Sequence, residues 1–108
     1  MIEPERLYEM LAEHFPVCWY DFSEMSAEDR PKHPPYCAIL EETAETVDAD
    51  DEVYYSETAY TVELYTVRRD YSSEKLIERL FRKNGIYYRK SARIYLKEEK
   101  KMQIIYSI

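Results

Sequence analysis

A chain of 108 residues is long enough for one two-layer core and too short for a second, so a single domain spanning 1–108 is expected. Its composition, 45% hydrophobic and 34% charged, is that of an ordinary globule, and no apolar run approaches the roughly 18 to 20 residues of a membrane span. One glycine in the whole chain excludes a phosphate-cradling loop, a dinucleotide fingerprint and a nucleophile elbow, and a net charge of −7 disfavours binding to a phosphate backbone.

The first element follows from Pro4, which a first helical turn tolerates, and from the stripe Leu7, Leu11, His14 and Phe15 with Tyr8 and Met10. This predicts a three-turn helix stopped by Pro16. "VCWYDF" (17–22) reads either as a short strand or as chain packing Trp19 under that helix. "SEMSAEDRPKHPP" (23–35), polar, proline-rich and without periodicity, is a surface loop. "YCAILEE" (36–42) is apolar on both faces of a strand and is expected to be central or covered.

"TAETVDADD" (43–51) reads as a turn region, after which 52–69 returns as a long strand with a bulge or bend near Ser56 to Thr58. Along that strand Tyr60, Val62 and Leu64 share a packed face opposite Thr61, Glu63 and Tyr65, which are partly solvated. Asp70, Ser72 and Ser73 are candidate caps for a second helix whose apolar side is Leu76, Ile77, Leu80 and Phe81. Gly85, after Asn84, is placed to end it in the left-handed conformation. Glu78 and Arg82, four residues apart, predict a pair on its solvated face. Two strands, 86–96 and 101–108, close the chain, with Met102, Ile104, Tyr106 and Ile108 on one face. The order predicts an α+β fold: a mostly antiparallel sheet of about four strands packed against two helices.

The charge is divided unevenly. Residues 1–67 hold 17 acidic and 3 basic side chains, and residues 68–108 hold 5 acidic and 12 basic. Either the two parts neutralise each other within one globule, or the basic part of one copy meets the acidic part of another. The second reading names Glu41, Glu42, Asp48, Asp50, Asp51 and Glu52 on one side and Arg68 and Arg69 on the other as candidate interface residues.

No catalytic, cofactor or metal site is expected. The acidic run from Glu41 to Glu52 lacks the glycine and ligand spacing of a calcium-binding loop, and His14 and His33 have no partners at zinc spacing. Lys75, Arg79, Arg82 and Lys83 could make a basic helical face for nucleic acid, but Glu74 and Glu78 interrupt it. Cys18 and Cys37 lie in apolar runs and read as buried thiols. The N-terminus "MIEPERLYEMLAEHF" is acidic and without an apolar core, so a cytosolic origin is expected.

The segments "PPYCAIL", "YTVELYT", "EKLIERLFRKNGIYYRKS" and "QIIYSI" together resemble the small minor structural proteins of the head-to-tail region of long-tailed phages and prophages of Gram-positive bacteria, related in fold to tail terminator or tail-completion proteins. The resemblance covers about residues 34–108 and leaves the 23–33 loop and the 43–51 segment without counterparts. It implies a ring homo-oligomer, usually a hexamer, that caps the tail tube and joins it to the connector, first in the host cytoplasm and then in the virion. It also implies that the 52–69 strand and its hairpin belong to the subunit contact, and that an acidic segment facing a central channel would repel passing DNA. A free-standing α+β module that binds a ligand or protein between helix and sheet is the alternative from a different class.

Overall fold

The computed structural model describes residues 2–23, 25–47 and 53–108, with the backbone path alone over 42–47 and 53–58. The fold is α+β: two helices lie on one face of a mixed six-stranded sheet. In chain order the elements are α1 (Pro4–Ala12), β1 (Val17–Trp19), β2 (Tyr36–Val47), β3 (Val53–Thr66), α2 (Tyr71–Lys83), β4 (Arg89–Lys90), β5 (Ile94–Leu96) and β6 (Lys101–Ser107). The sheet runs β1-β2-β3-β6-β4, with β5 also on β6. Among the described residues only the β1–β2 pair is parallel; the connection between its strands runs through residues 20–35.

Helix α1 opens on Pro4 and buries Leu7, Met10 and Leu11. It stops at Ala12, earlier than the apolar stripe predicts. The amides of His14 and Phe15 both bond back to the Leu11 carbonyl, which turns Phe15 into the core and leaves His14 exposed. Within 17–22, Val17–Trp19 form a short strand, with Trp19 stacked on Tyr8 at 6.1 Å. Asp70 caps α2: its carboxylate accepts from the Ser73 amide at 3.1 Å and from the Ser73 hydroxyl at 2.7 Å. At the other end the Gly85 amide bonds to the Arg82 carbonyl and the Ile86 amide to that of Phe81, with Gly85 at φ +69°. This is the paired closure that satisfies last-turn carbonyls and requires a left-handed residue.

Between helices and sheet, Leu7, Leu11 and Phe15 meet Ile77, Leu80 and Phe81 over Cys37, Ile39, Val62, Leu64, Ile104 and Tyr106, in one continuous buried cluster. Leu76, expected in it, is half-buried against its margin. The opposite face of the sheet is polar and aromatic. Tyr36 and Tyr65 stack at 5.2 Å, Lys101 donates to the Tyr36 hydroxyl at 2.6 Å, and Tyr65 and Gln103 both donate to Glu63.

Two strand expectations are corrected. Residues 43–47 continue β2 instead of turning, because each finds an antiparallel partner on β3, from Thr43 opposite Thr58 to Val47 opposite Val53. The register shift falls between Thr46 and Val47, and β3 itself pairs without a break at Ser56 to Thr58. The expected 86–96 strand is also split. Lys90 pairs with Tyr106 and Ile94 with Gln103, so four steps on one side oppose three on the other. Ser91 marks this bulge: its amide donates to the Ile105 carbonyl and its hydroxyl accepts from the Ile105 amide, both at 2.9 Å. An extra residue flips the strand's side-chain alternation, and here it brings Arg93 to the same face as Lys90, toward α2.

Candidate assembly surface

Three features set this surface: a hairpin that leaves the body of the protein, a network that locks α2 to the β4–β5 edge, and a recess rich in guanidinium groups at the start of α2.

The hairpin follows from unequal strand lengths. β1 pairs with β2 only as far as Ile39, and β6 pairs with β3 only from Thr61 to Thr66. From Glu41 opposite Tyr60 to Val47 opposite Val53, β2 and β3 pair with no other strand among the described residues, while at the root the Tyr60 carbonyl accepts from the Ile108 amide and the Glu41 carbonyl from the Tyr20 hydroxyl. At about 3.4 Å per residue this arm reaches about 20 Å beyond the sheet. It accounts for a molecule 50 Å in its longest dimension and only 31 by 26 Å in the others. Both of its edges carry strand amides and carbonyls unmatched by any described strand. A two-stranded hairpin without further support is marginally stable in water.

The lock is built on Glu74 and Glu78, one turn apart on α2. Glu74, only 3% exposed, accepts from Arg93 Nε at 2.9 and 3.1 Å and from Lys90 Nζ at 2.8 Å. Glu78 accepts from the same ammonium at 2.8 Å and from the hydroxyls of Tyr106 (2.9 Å) and Tyr88 (3.2 Å). Burial works against the charge on each carboxyl, but the hydrogen bonds from Arg93 and Lys90 to Glu74, and from Lys90 and Tyr106 to Glu78, outweigh it. Both are held below their ordinary value. Burial and then the bond to Glu78 push the Tyr106 hydroxyl up, so it remains a donor. The predicted Glu78–Arg82 surface pair is thus replaced by a bridge across elements. Like charges four residues apart on a helix repel, and the network places Lys90 between them.

The recess lies where β3 ends and α2 begins, a hollow of about 550 Å³. Its walls include Thr66, Arg68, Arg69, Tyr71, Arg93 and Met102, together with Glu74, which is ion-paired to Arg93 and Lys90. Arg68 lies 5.7 Å above the Tyr95 ring, and Arg93 lies 4.9 Å above that of Tyr71. Arg69 takes φ +67° in the turn before Asp70.

Among the predicted interface residues, Glu41 is exposed at the root of the arm, opposite Tyr60, and Glu42 follows it on β2, opposite Ala59. Asp48, Asp50, Asp51 and Glu52 lie outside the described residues. Arg68 and Arg69 are exposed at the far end of β3. The structure therefore separates Glu41 and Glu42 from Arg68 and Arg69 within one chain. All four ion pairs among the described residues lie within 68–108, and none joins the acidic part to the basic one. The sequence reading missed Tyr71, Arg93 and Tyr95, which only the turn and the bulge bring to Arg68.

Cys18 and Cys37 are buried and free; burial raises the Cys18 thiol to about 11, so it stays protonated at neutral pH. Among the described residues no group of His, Cys, Asp and Glu side chains could hold a metal ion, and no helix is long and apolar enough to cross a membrane. Compared with models of protein families, with curated proteins and with solved structures, the chain has no match.

Proposed function

We propose that this protein works by assembly: it joins copies of itself through the hairpin arm into a closed ring, as a tail terminator or tail-completion type component of a phage or prophage head-tail junction. The observation that carries the reading is the arm. A strand pair reaching about 20 Å past its sheet, marginal by itself and open along both edges, has a physical reason to exist if another subunit covers it. The rest of the molecule suits a rigid ring unit. Its core is filled, α2 is tied to the sheet edge by buried charge-assisted bonds, and its free face carries satisfied polar groups.

The resemblance of residues 34–108 to head-to-tail proteins supplies the setting, with a hexamer as the expected ring and the tail-tube and connector proteins as its neighbours. The alternative, a module holding a ligand between helix and sheet, finds that space occupied by Leu7, Ile77, Phe81 and Tyr106. The test is to mix the purified chain with polymerised tail-tube protein of the same phage or prophage and image the tube ends. The reading expects ring-shaped density on one end and tubes of limited length. Bare ends at saturating protein contradict it.

A further inference from the structure

We infer that the recess lined by Arg68, Arg69, Tyr71 and Arg93, with Tyr95 under Arg68, is the receptor for the acidic hairpin arm of a second copy. This rests on the assembly reading above and names the surface on which the arm sits.

Charge leads to the arm as occupant. The recess is lined by three guanidinium groups and a single carboxylate, Glu74, and that carboxylate is already spent on Arg93 and Lys90. Asp70, beside it in sequence, is spent on the Ser73 cap. Arg68 and Arg69 have no carboxylate partner among the described residues. Stacking on Tyr95 and Tyr71 holds Arg68 and Arg93 in place, so less side-chain freedom is lost when a carboxylate arrives. Residues 41–58 offer eight carboxylates and no basic group.

Geometry then excludes the arm of the same chain. The arm and the recess sit at opposite ends of β3, whose length from Val53 to Thr66 is about 45 Å. Even Glu41, at the root, faces Tyr60, about 20 Å along the strand from Thr66, and Arg68 lies beyond Thr66 in the turn. Exposed charges are screened within about 8 to 10 Å at physiological ionic strength, so neither distance allows attraction within one subunit. Two different patches meeting between copies make a head-to-tail contact, which closes into a ring when the rotation permits. A nucleic-acid phosphate would suit the guanidinium groups equally, but an arm with eight carboxylates on every subunit repels it.

The experiment is a charge exchange followed by sedimentation velocity. One variant carries Arg68→Glu and Arg69→Glu in the recess, the other Glu45→Lys, Asp48→Lys, Asp50→Lys, Asp51→Lys and Glu52→Lys in the arm, which leaves three acidic side chains against five basic ones over residues 41–58. Each by itself is expected to associate on the order of tenfold more weakly than the wild type, with unchanged melting, while an equimolar mixture regains association because each arm then finds an opposite recess. Wild-type association should also weaken as salt rises. A wild type that associates while the recess variant associates equally well overturns the receptor and leaves the assembly reading standing. A wild type monomeric at every concentration overturns both. Duplex DNA binding that is lost in the recess variant, with self-association unchanged, assigns the recess to phosphate and also overturns the inference.

Discussion

Arg93 Nε lies 2.9 and 3.1 Å from the two carboxylate oxygens of Glu74, a residue nineteen positions earlier and 3% exposed. The pair ties the first turn of α2 to the bulge between β4 and β5, and it exists because the extra residue at Ser91 turns Arg93 toward the helix. Replacing Glu74 by Gln removes the charge while keeping the shape. Lys90 and Arg93 then lose a charged acceptor, and the loss of stability should be about 1 to 3 kcal/mol, the cost of breaking hydrogen bonds to a charged group. Urea unfolding of the two proteins measures it. An unchanged midpoint would mean that the network contributes nothing to the fold.

Acid should act through the same groups. Glu74 and Glu78 are held below their ordinary 4.5 in the folded state, so they stabilise the fold above that pH, and their contribution is lost as pH falls through the folded values. Lys90 is raised above its ordinary 10.5, so its contribution is present below that pH and disappears only as pH rises through the higher folded value. Stability from this network should therefore be flat through neutral pH and fall below about pH 4.5. Thermal melts across that range are expected to show the fall in the wild type and a shallower one in a Glu74→Gln, Glu78→Gln double variant. Identical acid profiles for the two would contradict the assignment.

Gly85 is the position where backbone conformation alone decides. Its φ of +69° is the left-handed region, and apart from Gly85 and its two chain neighbours no atom lies within 4 Å of where a β-carbon would sit. Gly85→Ala thus meets no clash and bears only the backbone cost, about 1 kcal/mol. Asparagine, which tolerates that region better, should lose less than alanine. Calorimetry on the two variants checks both the size and the order.

Much of the fold could be read in the sequence because it rests on local patterns. The stripe Leu76, Ile77, Leu80, Phe81 and the Asn84–Gly85 ending mark α2, and the alternation of Tyr60, Val62 and Leu64 marks the packed face of β3. What escaped depends on partners distant in sequence. "TAETV" has the composition of a turn and becomes strand only because Val53 to Thr58 lie opposite it. The break at Ser91 is invisible without the Ile105 amide that its hydroxyl accepts. At the candidate surface, charge division alone singled out Arg68 and Arg69. Tyr71, Arg93 and Tyr95 reach them through a turn and a bulge, neither of which leaves a periodic signature.

The arm is the element on which the account of function depends, and removing it is the most direct test. Joining Glu42 to Ala59 through a two-residue Asn-Gly turn deletes the arm at a hydrogen-bonding register pair of the hairpin and leaves α1, α2 and the β1-β2-β3-β6 pairing in place. Native mass spectrometry of the full chain and of the shortened one, at matched concentration, reads the outcome. The account predicts a closed oligomer of defined size, six copies by the resemblance, for the full chain, and a folded monomer for the shortened one. A shortened chain that assembles to the same size as the full chain would contradict it.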